Sequence, residues 1–119
     1  MKPVIMIADD AMFMRRVIKR ALVQGGYEEF VEAGNGREAV ERYRISKPGL
    51  VLLDITMPER SGLEALDDIL NEDPGAIVIM CSAVGQEAVI TQAIRRGALD
   101  FIIKPFKDEE LLKLVEASL

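Results

Sequence analysis

The stretch Leu50-Val51-Leu52-Leu53-Asp54 decides the fold, because it places one carboxylate directly after the most apolar run of the chain. An apolar run without alternation is typical of a parallel strand that is buried on both faces of a sheet. A charge at the end of such a run is costly to bury without a partner. Asp54 is therefore the first candidate functional residue.

Four other apolar runs of strand length flank this stretch. They are Val4 to Ala8, Phe30 to Ala33, Ala76 to Cys81 and Phe101 to Ile103. The first of them and the run that ends at Cys81 also lack alternation, which predicts buried strands. The acidic residues Glu28, Glu29 and Glu32 around the second run indicate a strand at the edge of the sheet.

The segments between these runs follow the period of helices. In the first, apolar residues from Met14 to Leu22 share one face, and Gly25 and Gly26 end the pattern. Comparable stripes follow: Ala39, Val40 and Tyr43; Leu63, Leu66 and Leu70; Val89, Ala93 and Ile94; Leu111, Leu112 and Val115. Five β-α units in strict alternation predict an α/β fold, with a five-stranded parallel sheet flanked by five helices. The predicted strand order is 2-1-3-4-5, with ligands outside the carboxyl ends of the strands.

Length and composition limit the class of protein. The chain has 119 residues, half of them hydrophobic, which predicts a single domain over residues 1–119 with one core. Its single cysteine, Cys81, excludes an intrachain disulfide and favours a reducing, cytoplasmic setting. The run from Val4 to Ala8 is too short for a signal peptide or a membrane span, so we expect no membrane partner.

Charge and the absence of histidine exclude further classes. A net charge of -5 gives no general attraction to nucleic acid, so protein or small-molecule partners are favoured. With no histidine, the chain has no histidine catalysis, no histidine metal ligand and no phosphohistidine. We expect ion pairs between the basic residues of the first helix and the acidic residues of the last: Arg15, Arg16, Lys19 and Arg20 with Asp108, Glu109 and Glu116.

Five residues with reactive side chains follow the predicted strands: Asp9 and Asp10, Asp54, Ser82, and Lys104. Three carboxylates that converge at one edge of a sheet repel one another, so one of them is protonated or a cation lies among them. Oxygen ligands suit Mg²⁺ or Mn²⁺, whereas zinc and copper prefer nitrogen and sulfur. We expect Mg²⁺ there, with Mn²⁺ as the alternative.

These residue types also permit phosphoryl transfer. A carboxylate in a neutralised pocket can attack phosphorus and form an aspartyl-phosphate, which makes Asp54 the candidate nucleophile. The Lys104 ammonium and the Ser82 hydroxyl would then donate to phosphoryl oxygens. Structural interpretations stay open for the separate residues, since Asp9, Asp10 and Ser82 can each cap a helix. Their joint placement is what favours a site.

The motifs together resemble a known family. They are Asp9-Asp10, Asp54-Ile-Thr-Met-Pro58 with Gly62, Ser82-Ala83 and Lys104-Pro105-Phe106. With this spacing, over the whole chain, the sequence resembles the receiver domain of two-component response regulators, which has a flavodoxin-like fold. Within that family it looks most like the stand-alone chemotaxis regulators.

The resemblance implies a role for each site residue. Asp54 would be phosphorylated by a sensor histidine kinase. Asp10 and Asp54 would bind Mg²⁺ directly, together with the Thr56 backbone carbonyl, and Asp9 would act through water. Ser82 and Lys104 would contact the phosphoryl group. The resemblance also implies a cis peptide bond between Lys104 and Pro105.

The resemblance further implies a switch and a partner. Phe101 would turn inward when the Ser82 hydroxyl moves toward the phosphoryl group, and a monomer would then present its fourth helix, fifth strand and fifth helix to a flagellar motor switch protein or another effector. The basic residues Arg95, Arg96 and Lys107 lie on those elements. Relatives often carry amide or acidic groups at the positions of Thr56 and Val84, so we predict slow self-dephosphorylation and no other enzyme activity.

Three other functions compete with this interpretation. The chain could be the receiver of a larger or non-chemotaxis regulator, or an interaction module that works without phosphorylation. A phosphohydrolase of the haloacid dehalogenase type needs Asp where Thr56 stands. A flavin or nucleotide module needs backbone donors for phosphate where Asp9 and Asp10 stand, and these carboxylates repel anions.

Overall fold

A computed structural model describes residues 2–119, and these form one parallel sheet with helices on both faces. The strands are β1 (Ile5–Ala8), β2 (Phe30–Ala33), β3 (Leu50–Asp54), β4 (Val78–Ala83) and β5 (Asp100–Lys104). The helices are α1 (Met12–Gln24), α2 (Gly36–Ser46), α3 (Gly62–Glu72), α4 (Glu87–Arg96) and α5 (Asp108–Ser118). The strand order β2-β1-β3-β4-β5 confirms the predicted α/β fold and places β2 at an edge.

The carboxyl ends of three strands extend further than the apolar runs predicted. Asp54 is the last residue of β3, Lys104 is the last of β5, and Ser82 lies within β4 rather than after it. The ladder continues past the apolar residues, because Asp54 pairs with Cys81 and Ala83 pairs with Lys104. The reactive side chains are therefore fixed by sheet hydrogen bonds and not only by loops.

The core consists of two apolar layers on opposite faces of the sheet. Successive strand residues point to opposite faces, so a strand covered on both sides needs apolar residues throughout. On the side of α1 and α5 lie Ile5, Ile7, Leu50, Leu52 and Ile79, and on the side of α2, α3 and α4 lie Met6, Ala8, Val51, Leu53 and Met80. Each large aliphatic side chain contributes about 1.5 to 3 kcal/mol by burial. β1 and β3 thus form a rigid support for the residues that follow them.

The start of α3 lies unusually close to the end of β3. A Cβ atom on Gly62 would be 2.2 Å from the Asp54 carbonyl oxygen, so only glycine fits there. Ser61 caps the helix, accepting from the Glu64 amide at 3.2 Å, while the Glu64 carboxylate accepts from the Ser61 amide at 3.1 Å. This capping box fixes the loop that follows Asp54.

The ion pairs of α1 differ from the expected ones. Arg15 pairs with Glu32 of β2 at 2.9 Å, and Lys19 lies 4.0 Å from the same carboxylate. The expectation that these two residues pair with α5 is therefore wrong, because the acidic edge strand lies within their reach. Separately, no helix within residues 2–119 is long and apolar enough to cross a membrane.

Candidate functional site

Three carboxylates meet at the carboxyl ends of β1 and β3, which are neighbours in the sheet. Asp9, Asp10 and Asp54 each offer one oxygen, and these oxygens all lie within 4.8 Å of one another. Asp9 is 2% exposed and Asp54 is 8% exposed, whereas Asp10 is open to solvent. The structure therefore brings together two buried carboxylates and one at the rim, and we call this group, with Lys104, the acidic pocket.

Lys104 supplies a positive charge to the pocket. Its Nζ atom donates to Asp9 Oδ2 at 2.7 Å and lies 3.5 Å from Asp54 Oδ2. Burial alone would lower the pKa of Lys104, but the hydrogen bond to Asp9 and the charges of both carboxylates outweigh it, so that the pKa is raised. The lysine stays charged. The pairing of Lys104 with Asp9 was not predicted from the sequence, although a lysine at the carboxyl edge of the same sheet was a signal for it.

The pKa of Asp54 is raised above its usual range. Burial is the main cause, and the Asp9 charge adds to it, while Lys104 and a hydrogen bond from the Thr56 backbone act in the opposite direction. The charged form is thus costly here, although the chain supplies one lysine against it. A divalent cation would remove that cost.

The donor set fits Mg²⁺ or Mn²⁺. The three side chains whose oxygens converge there, those of Asp9, Asp10 and Asp54, are carboxylates, which hard divalent cations prefer. The thiol of Cys81, on the adjacent strand, is buried, and burial raises its pKa to about 12. Such a thiol does not ionise at neutral pH, so the pocket lacks the soft ligand that would favour zinc or copper.

Ser82 has an unsatisfied hydroxyl beside the pocket. It is fully buried on β4, the strand next to Asp54, and its Oγ atom has no hydrogen-bond partner within residues 2–119. A buried polar group without a partner costs about 1 to 3 kcal/mol. An acceptor that arrives at the end of β3 would relieve this cost.

Phe101 lies on the same face of the sheet as Ser82, because Phe101 and Ile103 of β5 pair with Met80 and Ser82 of β4. Its ring lines an apolar groove between α4 and β5. The groove has a volume of about 490 Å³ and is lined by Glu87, Ile90, Thr91, Ile94, Arg95, Phe101 and Ile103. We call it the α4–β5 groove. Phe101 is 38% exposed, so its ring is only partly packed. The peptide bond between Lys104 and Pro105 is cis, as the resemblance implied.

Gln86 is a site residue that the sequence analysis did not single out. Its Oε1 atom accepts from the Ala83 amide at 2.6 Å, and its Nε2 atom donates to Thr56 Oγ1 at 3.1 Å. The side chain therefore joins the loop after β4 to the loop after β3. One signal was present in the sequence, because Gln86 lies between Ser82 and the helical stripe that begins at Val89.

Comparison with known proteins defines the class. The response regulator receiver domain family matches residues 5–116, so this chain belongs to that family. Among individual proteins, it is 52% identical to chemotaxis protein CheY of Listeria monocytogenes over 112 residues, which cover 94% of each chain.

Two solved structures support the same class. The receiver domain of NtrX from Brucella abortus is 35% identical, covers 97% of both chains and superposes with a TM-score of 0.92. A chain in the CheX–CheY–BeF₃–Mg²⁺ complex from Borrelia burgdorferi is 33% identical, with 96% of this chain and 87% of that chain covered and a TM-score of 0.91. The similar proteins therefore include chemotaxis proteins named CheY and a protein named NtrX.

Proposed function

We propose that residues 1–119 act as one receiver domain in which Asp54 accepts a phosphoryl group from a CheA-like sensor histidine kinase. The observation that supports this most is the acidic pocket, in which the buried Asp9 carboxylate, the Asp10 carboxylate at the rim and the charged Lys104 surround Asp54. An oxygen of Asp54 forms the bond to phosphorus while the bond from phosphorus to the kinase histidine nitrogen breaks. The histidine then takes up a proton.

Asp9, Asp10 and Asp54 are the residues that would hold a divalent cation. By family resemblance, Asp10, Asp54 and the Thr56 carbonyl would bind it directly and Asp9 through water. Mg²⁺ bound there would neutralise charge on the carboxylates and on the incoming phosphoryl group. Mn²⁺ offers the same chemistry with the same ligand types.

Lys104 and Ser82 would contact the phosphoryl group after transfer. Lys104 is charged and within 3.5 Å of Asp54, so its Nζ atom can donate to a new anionic oxygen. The Ser82 hydroxyl is buried and without a partner, and an anion at Asp54 would supply one. Both contacts are stronger with a charged acceptor than with a neutral one.

The signal would leave the site through Ser82 and Phe101. Movement of Ser82 toward the phosphoryl group opens space for the Phe101 ring, which is now 38% exposed in the α4–β5 groove. The changed surface of α4, β5 and α5 carries Arg95, Arg96 and Lys107. An acidic segment of a flagellar motor switch protein would fit that charge, in keeping with the CheY relatives.

The chain would catalyse only its own phosphorylation and a slow loss of the phosphoryl group. Thr56 and Val84 are both exposed near the pocket, and neither has an amide or a carboxylate that orients an attacking water molecule. Replacing Val84 with glutamate is therefore expected to change the rate of phosphoryl loss. An unchanged rate would contradict this part of the proposal.

The test is the intact mass of the chain after incubation with acetyl phosphate, with Mg²⁺ or with excess chelator. We expect an adduct of one phosphoryl group in the wild type with Mg²⁺ and in the control Asp67→Asn, whose carboxylate pairs with Arg96 between α3 and α4. We expect no adduct in Asp54→Asn or with chelator. An adduct in Asp54→Asn would overturn the assignment of the acceptor.

A second candidate is a receiver that serves a non-chemotaxis pathway, which the similarity to NtrX favours. Binding of the phosphorylated chain to motor switch peptides separates the two, because a chemotaxis regulator binds them more tightly after phosphorylation. A third candidate is an interaction module that works without phosphorylation. The absence of any adduct on the wild type would favour it.

A further inference from the structure

We infer that Gln86 is a positioning residue that restrains the two loops beside Asp54 and must be displaced when Asp54 is phosphorylated. The inference rests on the proposed function of Asp54. It concerns a residue whose side-chain hydrogen bonds go to Ala83 and Thr56 and not to the residues of the acidic pocket. Its basis is the position that the carboxamide takes in the sheet.

The Gln86 carboxamide takes the place of a backbone acceptor that β3 no longer supplies to β4. The Ile55 amide donates to the Cys81 carbonyl at 3.1 Å, so the peptide groups of Cys81 face β3. In a strand, residues two apart point to the same side, so the Ala83 amide also faces the chain that follows Asp54. That chain has left the ladder by then. Gln86 Oε1 accepts from Ala83 instead, at 2.6 Å.

The same side chain also holds the other loop. Gln86 Nε2 donates to Thr56 Oγ1 at 3.1 Å, and Thr56 is two residues after Asp54. Ala83 directly follows Ser82, whose hydroxyl is buried without a partner. The hydrogen bonds from Ala83 to Gln86 and from Gln86 to Thr56 form a bridge. This bridge links the segment next to Ser82 to the loop that follows Asp54.

Phosphorylation would compete with this bridge. A phosphoryl group on Asp54 is an anionic acceptor on the side of the sheet to which the Ala83 amide points, and charge-assisted hydrogen bonds are about twice as strong as neutral ones. Movement of Ser82 toward that group would also carry the Ala83 amide away from Gln86. The bridge is then lost in the phosphorylated form, so it favours the unphosphorylated form in the equilibrium.

The size of the effect follows from ordinary hydrogen bonds. The net contribution of one such bond corresponds to about a fivefold change in an equilibrium constant. The bridge is half-exposed and therefore not stronger than this. We expect Gln86→Ala to bind beryllofluoride, a phosphoryl mimic, about fivefold more tightly than the wild type in the presence of Mg²⁺, with unchanged affinity for Mg²⁺ alone.

The experiment is a beryllofluoride titration at saturating Mg²⁺, followed by amide NMR of the wild type, Gln86→Ala, Gln86→Leu and the control Gln92→Ala. Gln92 is an exposed glutamine of α4, so its loss should leave the affinity unchanged. The Ala83 amide resonance should shift in both Gln86 variants before beryllofluoride is added. Equal or weaker affinity in both Gln86 variants would overturn the inference, while a wild type that does not bind at all would instead overturn the proposed function.

A double-mutant cycle with Thr56→Val tests the bridge itself. If the two hydrogen bonds act as one unit, Thr56→Val also tightens binding, and Gln86→Ala adds little to it. Fully additive effects would contradict the bridge. A slower loss of the phosphoryl group from Gln86→Ala without any change of beryllofluoride affinity would also contradict it, because Gln86 would then orient water.

Discussion

The acidic pocket and the α4–β5 groove share strand β5 but are held by different forces. In the pocket, Lys104 bonds to a carboxylate that is 2% exposed, and the position of each charge depends on the others. In the groove, Phe101 is 38% exposed, and the lining is mainly aliphatic, with the charged residues Glu87 and Arg95 among it. Charge fixes the first region, whereas partial packing leaves the second free to change. The proposed chemistry therefore belongs to the region held by charge, and the proposed signalling surface to the region that is only partly packed.

The two regions are connected through a short segment. Phe101 and Lys104 are three residues apart on β5, so their side chains leave opposite faces of the strand. Ile103, with Phe101, lies on the side of α4, whereas Ile102 packs with the layer of α1 and α5. If new contacts at Lys104 shift β5, as the proposed function implies, the shift would reach the groove through Ile103 and Phe101.

The largest effect is expected from Lys104→Met. It leaves the buried carboxylates of Asp9 and Asp54 without their cation, which should cost about 3 kcal/mol of unfolding free energy in chelator. Mg²⁺ should restore part of the loss, because it replaces the missing charge. Urea unfolding with and without Mg²⁺ measures both. The control Lys113→Met, on exposed surface of α5, should stay within about 0.5 kcal/mol of the wild type; an equal loss there would contradict the comparison.

Phe101→Ala should affect the groove alone. The ring is only partly buried, so we expect a loss of about 1 to 2 kcal/mol rather than the larger cost of a fully buried phenylalanine. Mg²⁺ affinity, measured by calorimetry, should not change, because the pocket is held by its own charges. Phe13→Ala, with a ring that is 75% exposed, serves as the control for removal of an aromatic side chain. A weaker Mg²⁺ affinity in Phe101→Ala alone would show that the regions are coupled before phosphorylation.

Asp54→Asn should stabilise the metal-free chain at pH 7, by less than Phe101→Ala costs, because it removes a charged group whose pKa is raised chiefly by burial. The folded pKa lies above the unfolded value of about 3.9, so the contribution of this group is fully present below that value and is lost as pH rises through the folded pKa. The gap between variant and wild type should therefore close on acidification. Urea unfolding in chelator at a series of pH values measures it, and a gap that widens toward low pH would refute the assignment.

The smallest effect concerns backbone strain at the rim of the pocket. Glu59 has a φ angle of 67° in the loop after β3, a left-handed conformation that favours glycine. Glu59→Gly should raise the free energy of unfolding by about 0.5 kcal/mol. Relief of backbone strain is expected to exceed two costs, the greater chain entropy of glycine in the unfolded state and the loss of the exposed ion pair with Arg37. Lys47→Gly, with a φ angle of 43° at the end of α2, should gain a similar amount. Thermal unfolding compares them, and only Glu59→Gly should alter phosphorylation kinetics.

The sequence predicted the fold and the composition of the pocket because both depend on local pattern. Alternating periods defined five β-α units, and the strand order then placed Asp54 beside Asp9 and Asp10. The strand ends were less predictable. Asp54 and Lys104 lie within the ladder because backbone pairing does not depend on whether a side chain is apolar.

Contacts between loops could not be predicted in the same way. Gln86 meets Thr56 across 30 residues of sequence, and its contact depends on the path of two loops after they leave the sheet. Arg15 pairs with Glu32 of β2 and not with an acidic residue of α5 for a similar reason. The distance between the two side chains decides which pair forms. The apolar pattern of the sequence predicts helices and strands, whereas contacts between side chains depend on distances that only the folded structure defines.

The burial of Cys81 has a practical consequence for labelling. The thiol is fully covered and its pKa is raised to about 12, so alkylating reagents meet almost no thiolate while the chain is folded. A cysteine introduced at an exposed position, such as Val84→Cys beside Gln86, would then react alone. A single dye at that position would report on the loop, and its signal would contain no tryptophan emission because the sequence has no tryptophan.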